Sequence, residues 1–416
     1  MTIDVLKLSG DHYELGVQQG RYCQLLFGKL NMMKIMRELT FIQKAKPIGG
    51  PPFNFVFSRL MKYGGRKMLQ TISSMFPEQY ERLEGMAEGY GITPEKLSEF
   101  LYFENFSGDC RNDMTSPGCT GGIINKGPQS FLLKNFDFPW ELGEYQTVRY
   151  THFPSGKHNS YVSQGIIAVP HAVSGLNEKG LSISMNSAYA SDIKHSAVPS
   201  GVMVQHCLEE CDTAEEAKEI LLEVPLSAGW IFLILDKNRH GIVVEKTHEK
   251  KAFREIKPED GDAILYASNT FIEEETLEAQ LPHDTIWTVR GEINGAPVIQ
   301  LSDWRYKRMR DLLIKLKQKD GKIEIEDMMK ILGDHEDPPD SEWIESICRH
   351  SDVYKTLSSI IIEPDKKHLF IRDGNPCEPA EMNEYEIKFD YLDDIPNMRY
   401  FRRDHPDSEF FDPLIG

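Results

Sequence analysis

The residue best placed to do chemistry is a cysteine set directly after a glycine: Gly118–Cys119, inside "TSPGCTGG" at 115–122. The stretch has neither helical nor strand periodicity. Pro117 stiffens the approach, and Gly118 leaves the backbone a freedom that a side chain would remove. If the bond before Cys119 is cut, the new chain start places an α-amine of pKa near ~7.7–8 beside a thiol near ~8.5. The amine can then act as general base, directly or through one water, so the cysteine carries its own activator and needs no histidine. The same thiol can make the cut. Attack on the Gly118 carbonyl gives a thioester that water hydrolyses, and a glycine tolerates the strained geometry of such a shift. The plain alternative is a small hydrophobe buried beside a turn.

Elements that could position this residue are readable on both sides of it. Before it, apolar spacing of three and four predicts helices over 11–39 and 75–91, the second stopping at Gly-Tyr-Gly. A third is predicted over 92–106, with Thr93 as cap and Pro94 at the first helical position. Residues 107–118 read as a polar, turn-rich loop. After it, "GGIINKGPQSFLLKNFDF" reads as two strands around Asn-Lys-Gly. Further hairpins are expected with turns at Asn177–Gly180 and Asp236–Gly241, and another over 356–377. Helices are expected at 201–223, 302–318 and 325–333. Helices first, many strands next and helices inserted between strands predict an α+β layered fold rather than regular βαβ alternation. No period of 20–50 residues marks a repeat protein.

Bulk properties exclude several roles. The 416 residues carry 40% hydrophobic and 27% charged side chains, an ordinary globular composition with room for a large core. A net charge of −18 without a basic run argues against nucleic-acid binding. Neither a basic-then-apolar leader nor an apolar run of membrane-spanning length is present, so a cytoplasmic protein with no membrane partner is expected. The seven cysteines, at 23, 110, 119, 207, 211, 348 and 377, are odd in number and irregular in spacing, which argues against a disulfide framework. Cys207 and Cys211 stand four apart on an expected helix beside His206, but no second pair at zinc-like spacing accompanies them. No metal and no cofactor are expected.

The sequence also lacks G-x-S-x-G, the phosphate-loop pattern, G-x-G-x-x-G and H-E-x-x-H. His171, His206 and His350 could suggest a papain-like Cys–His pair, but no local signature marks them, and core or turn roles fit better.

Six segments, in order, resemble the autoproteolytic acyltransferase/hydrolase family typified by isopenicillin N acyltransferase, within the group that includes choloylglycine hydrolases. They are "GDHYELGVQQG", "GCTGGIINKGPQSFLLKNFDF", "YASNTF", "LSDWRYKRMRDLL", "ILGDHEDPPDSEWIESICRH" and "TLSSIIIEPDKKHLFIRDGNPC". The resemblance implies a four-layer αββα N-terminal-nucleophile fold and chemistry at C–N acyl bonds. It divides the chain into a helical segment, 1–118, and a catalytic part, 119–416, cut apart between Gly118 and Cys119. It implies that Cys119 is the nucleophile and that Asp137 holds the new ammonium or orients the thiol. Asn269 would be the oxyanion donor and Arg305 the charge favouring anionic forms, with Arg308 one turn away as its rival.

Asn186, at a strand end, matches less firmly and could be a plain turn residue. Asn135, two before Asp137, stands where bile-salt-type relatives would carry an arginine, which argues against bile-acid conjugates. The expected partners are a small acyl amide or acyl thioester and the chain's own N-terminal fragment. The contrasting expectation is an unprocessed member of the same fold that binds a ligand without catalysis.

Overall fold

The computed structural model describes residues 3–27, 50–107, 118–287, 292–338, 346–378 and 384–388. A mixed sheet, with one parallel pair, faces a wholly antiparallel one. The larger joins β1 (Asp4–Ser9), β4 (Gln146–His152), β5 (Tyr161–Ile166), β6 (Ser174–Asn177), β7 (Leu181–Ala188), β8 (Gly229–Asp236), β9 (Gly241–Lys246) and β10 (Lys251–Ile256) in that spatial order. The smaller is ordered β11 (Ala263–Ala267), β2 (Thr120–Lys126), β3 (Gln129–Pro139), β12 (Tyr354–Glu363), β13 (His368–Asp373) and β14 (Glu384–Lys388).

Ile123, Leu132, Leu176, Ile231, Leu233, Val243 and Ile360 fill the space between the sheets. On β2 and β3 the alternate residues Ile124, Phe131 and Leu133 point the other way, into a second core with α8 (Val298–Gln318) and α9 (Ile325–Leu332). With both faces covered, these strands read as continuous apolar runs rather than alternation. The far face of the larger sheet is covered by α1 (His12–Phe27), α2 (Gly50–Met75), α3 (Pro77–Tyr90), α4 (Pro94–Ser107), α5 (Ser200–Glu210) and α6 (Ala214–Glu223). The layers are therefore αββα, the expected α+β fold. A short α7 (Glu274–Leu277) follows β11. No helix among the described residues is long and apolar enough to cross a membrane.

The glycine spacing of α1 has a packing cause. A Cβ on Gly16 would lie 2.1 Å from the Arg82 carbonyl oxygen, and one on Gly89 2.1 Å from that of Val17. The small residues let α1 and α3 touch backbone to backbone. Helix α3 ends where expected, at Gly91 with φ 79°. Thr93 caps α4 by accepting the Lys96 N–H at 3.2 Å.

Several expectations need correction. The helix predicted over 11–39 is preceded by a strand, and its described part ends at Phe27; residues 28–39 and the loop at 108–117 lie outside the described residues. The 1–118 segment is thus not wholly helical, because β1 pairs in parallel with β4. Helix 201–223 is two helices. Thr213 opens α6 with a capping box, accepting from the Glu216 N–H while Glu216 bonds back. Cys211 accordingly lies past the end of α5 rather than on a shared helix with Cys207. Helix α2 and strands β4 and β10 were not anticipated.

Candidate active site

Three elements converge where β2 begins. Cys119 is the residue before that strand, which runs between β3 and β11. Pairing of Ala267 with Gly121 brings the chain just after β11 beside Cys119, so Asn269 arrives there. Helix α8 crosses the same sheet and presents two buried side chains three residues apart, Ser302 and Arg305. Ser302 Oγ accepts the Asn269 backbone N–H at 3.0 Å, and Arg305 Nη2 donates to Asn269 Oδ1 at 3.0 Å. One turn of helix therefore holds Asn269 by both its backbone and its side chain.

Arg305 also grips the peptide that follows Cys119. Its Nη1 donates to the Cys119 carbonyl at 3.1 Å and to Thr120 Oγ1 at 2.8 Å. Gly118 sits in a cluster of polar atoms. A Cβ there would lie 2.7 Å from Arg349 Nη1, 2.9 Å from Arg305 Nη2 and 3.0 Å from Asn269 Oδ1. A glycine is required for that close approach. Arg308 points elsewhere, forming a two-pronged pair with Asp334 at 2.9 and 2.5 Å. The geometry separates the two arginines: Arg305 is at Cys119 and Arg308 is not.

The Asn269 amide donates to the Ser187 carbonyl at 2.7 Å and makes a longer contact, 3.3 Å, with Ser187 Oγ. Asn186 ties the same two segments together, its Nδ2 donating to the Ser268 carbonyl at 3.1 Å. Its Oδ1 is buried without a hydrogen-bond partner among the described residues. Asp137 lies at a bulge between β3 and β12, and its Oδ1 accepts from Thr356 Oγ1 at 2.8 Å. Its backbone carbonyl is 4.0 Å from Cys119 Sγ.

Asn135 is not part of this constellation. Its amide donates to the carbonyls of Leu332 and Ile347, and its oxygen accepts from Ser359, all on the α9 side of the sheet. The argument against bile-acid conjugates drawn from that position loses its footing. The neighbouring Lys134 points the other way, fully buried, and donates to the Met185 carbonyl. Sequence reading missed both Lys134 and Arg349. A lone lysine in an apolar strand was the available signal for the first; nothing local marks the second.

Burial pushes the Cys119 thiol above its ordinary range, opposed chiefly by the positive charge of Lys134. Burial likewise lowers the Lys134 ammonium, and the charges of Cys119 and Asp137 favour it. His171 is pushed down to about 3 by burial and by Arg149 and Arg82, so it is a neutral core group. His206 packs against Phe76. Neither histidine meets Cys119 among the interactions of the described residues.

Residues 124–378 match the family described as acyl-coenzyme A:6-aminopenicillanic acid acyl-transferase, and the chain belongs to that family. The family so described is one of acyl-transferring enzymes. The match opens five residues after Cys119 (124 − 119) and takes in Lys134, Asp137, Asn186, Asn269 and Arg305. No curated protein matches the sequence. Among solved structures, a mutant conjugated bile acid hydrolase from Clostridium perfringens is similar at 15% identity and TM-score 0.43, covering 68% of this chain and 96% of that one. A Caenorhabditis elegans N-acylethanolamine-hydrolyzing acid amidase ortholog follows at 14% and 0.42, covering 59% and 93%. Penicillin V acylase from Agrobacterium tumefaciens stands at 14% and 0.42, covering 68% and 90%.

Proposed function

We propose that the chain cuts itself between Gly118 and Cys119 and then works as an N-terminal cysteine amidase or acyltransferase. The observation that carries this reading is the convergence of Arg305, Arg349 and Asn269 on the two residues flanking that bond. In the cut, the Cys119 thiol loses its proton and attacks the Gly118 carbonyl carbon. The C–N bond breaks, the nitrogen takes the proton to become the Cys119 amine, and water hydrolyses the thioester to leave a Gly118 carboxylate. Arg305, holding the Cys119 carbonyl, fixes the nucleophile's own residue on the far side of the bond that is cut.

In turnover the α-amine of Cys119 accepts the thiol proton and the sulfur attacks the substrate acyl carbon. Charge then develops on the acyl oxygen, where Asn269 Nδ2–H would bind it in place of the long contact to Ser187 Oγ. The leaving amine takes the proton from the Cys119 ammonium and departs, and water or a second amine releases the acyl group from sulfur. Asp137, anchored by Thr356, would face the ammonium. Asn186 positions the Ser268–Asn269 segment. The substrate would be a linear acyl amide or acyl thioester, and residues 1–118 would remain as a bound small subunit.

Incubating the purified protein with a panel of acyl amides, then acid-quenching for peptide mass spectrometry, tests this. An acyl adduct confined to the peptide starting at Cys119 is the expected result. Turnover with an adduct on another cysteine refutes the assignment.

A further inference from the structure

Away from Cys119, three separate stretches bring two cysteines and two histidines together. His335 follows α9, Cys348 and His350 precede β12, and Cys377 follows β13. One ligand atom from each lies within 4.8 Å of all the others. Cys348 Sγ is 3.6 Å from Cys377 Sγ, far beyond the ~2.05 Å of a disulfide. His350 Nε2 is 3.4 Å from Cys348 Sγ and 3.2 Å from Cys377 Sγ. A tetrahedral ion with bonds of about 2.3 Å to sulfur and 2.0–2.1 Å to nitrogen sets sulfurs about 3.8 Å apart and sulfur–nitrogen pairs about 3.6 Å apart. The observed separations lie close to those values. We propose that His335, Cys348, His350 and Cys377 form a Cys2His2 zinc site.

The surroundings suit that role. Cys348 Sγ accepts from Asn375 Nδ2 at 3.6 Å and from the Cys377 backbone N–H, the kind of N–H donation that steadies a thiolate ligand. Nδ1 of His350, on the opposite side of the ring from the sulfurs, faces Glu378 Oε1 at 4.0 Å, which would orient Nε2 toward the metal. The His335 and His350 rings stand 4.9 Å apart, centroid to centroid. Two thiolates and two imidazoles select a borderline-soft divalent ion, and four protein ligands close the coordination shell, as in structural rather than catalytic zinc sites. Binding releases the two thiol protons to solvent.

The site would act on the cleavage centre through the residue between its ligands. Arg349 lies between Cys348 and His350, with Nη1 at the Gly118 position and its backbone N–H donating to Thr356 Oγ1, which in turn holds Asp137. Asn375 Nδ2 donates to the Arg349 carbonyl at 2.8 Å. A metal there pins the short strap that presents Arg349 to Gly118.

Elemental analysis of full-length protein purified without chelator and dialysed against zinc tests the proposal. About one zinc per chain is expected, with content lower by about tenfold or more in Cys377→Ser and in His335→Ala, two exposed or half-exposed positions whose variants should keep the wild-type circular dichroism. Cobalt replacement should give the visible bands of a tetrahedral thiolate site. Zinc at background level in the reconstituted wild type, a Cys348–Cys377 disulfide by mass, or full zinc content in both variants would overturn it. None of these readouts depends on whether Gly118–Cys119 is cut.

Discussion

Two regions of this molecule bury charged and polar side chains, and they treat charge differently. Around Glu209, at the contact of α5 with α1 and α3, His12 Nε2 and Tyr161 OH each lie 3.0 Å from the carboxylate, and Gln79 donates to it as well. Arg82 stands 3.6 Å from the same carboxylate and donates to Tyr161 OH at 2.7 Å. Burial pushes the Glu209 carboxyl up, but hydrogen bonding from His12 and the charges of His12 and Arg82 reverse this and leave it below the usual range. The charged form is the stable one, and nothing in the network needs to change.

Around Cys119, burial leaves the thiol above its usual range despite Lys134. Three cations, Lys134, Arg305 and Arg349, face a single carboxylate, Asp137, among the described residues there. An ion network whose carboxylate is already matched by its neighbours is structural. A cation-rich pocket around a protonated thiol is suited to a charge that appears only during reaction.

Substitutions should separate the two regions sharply. Cys119→Ala should abolish turnover, by about a thousandfold or more, and leave an undivided chain whose melting temperature matches wild type. Glu209→Ala should do the reverse, costing about 3–5 kcal/mol in denaturant unfolding because it strands Arg82 in a dry site. A stable Glu209→Ala protein would mean the network is not holding the helical layer.

Asn269→Ala should lower kcat by about a hundredfold with little change in KM, the usual consequence of losing one oxyanion donor. It must be assayed on cleaved material, so that failed processing is not mistaken for failed catalysis. Normal kcat in fully cleaved protein would move the donor role to Arg349 or to backbone amides. Lys134→Met should slow iodoacetamide labelling of Cys119 by about tenfold near neutral pH and shift its rate profile upward. An unchanged profile would leave Lys134 as a strap to Met185 alone.

A separate effect, on stability rather than on rate, concerns pH. His171 is held neutral, with a folded-state pKa of about 3 against 6.5 for an ordinary histidine. Its contribution is complete above about pH 6.5 and is lost as pH falls from there toward 3, at up to about 1.4 kcal/mol per pH unit. Urea unfolding of wild type and His171→Asn across that window should give a shallower slope in the variant. Parallel slopes would show that other groups dominate.

The proposed reacting pair could be singled out because a glycine before a cysteine has a chemical reading of its own, and Asn269 and Arg305, which the structure places beside it, because their flanking segments keep a recognisable order. The choice between Arg305 and Arg308 was not legible. Both lie on α8, and only the sheet beneath decides which one meets Asn269 and which one Asp334. Strand pairing also decides that Asn135 faces α9 while Lys134 faces Met185. Strands β4 and β10 carry polar and charged residues that are satisfied or tolerated only by tertiary context, so their sequences, "QTVRYTH" and "KAFREI", lack the apolar signal. The four residues of the proposed zinc site come from three loops at irregular spacing, which no linear pattern captures.

Intact mass spectrometry of freshly purified, active protein under denaturing conditions tests the central claim most directly. Two polypeptides are predicted, the larger beginning at Cys119 with a free α-amine, and a single undivided chain is predicted for Cys119→Ala. A wild-type preparation that turns over acyl amides at full rate as one 416-residue chain would contradict the account.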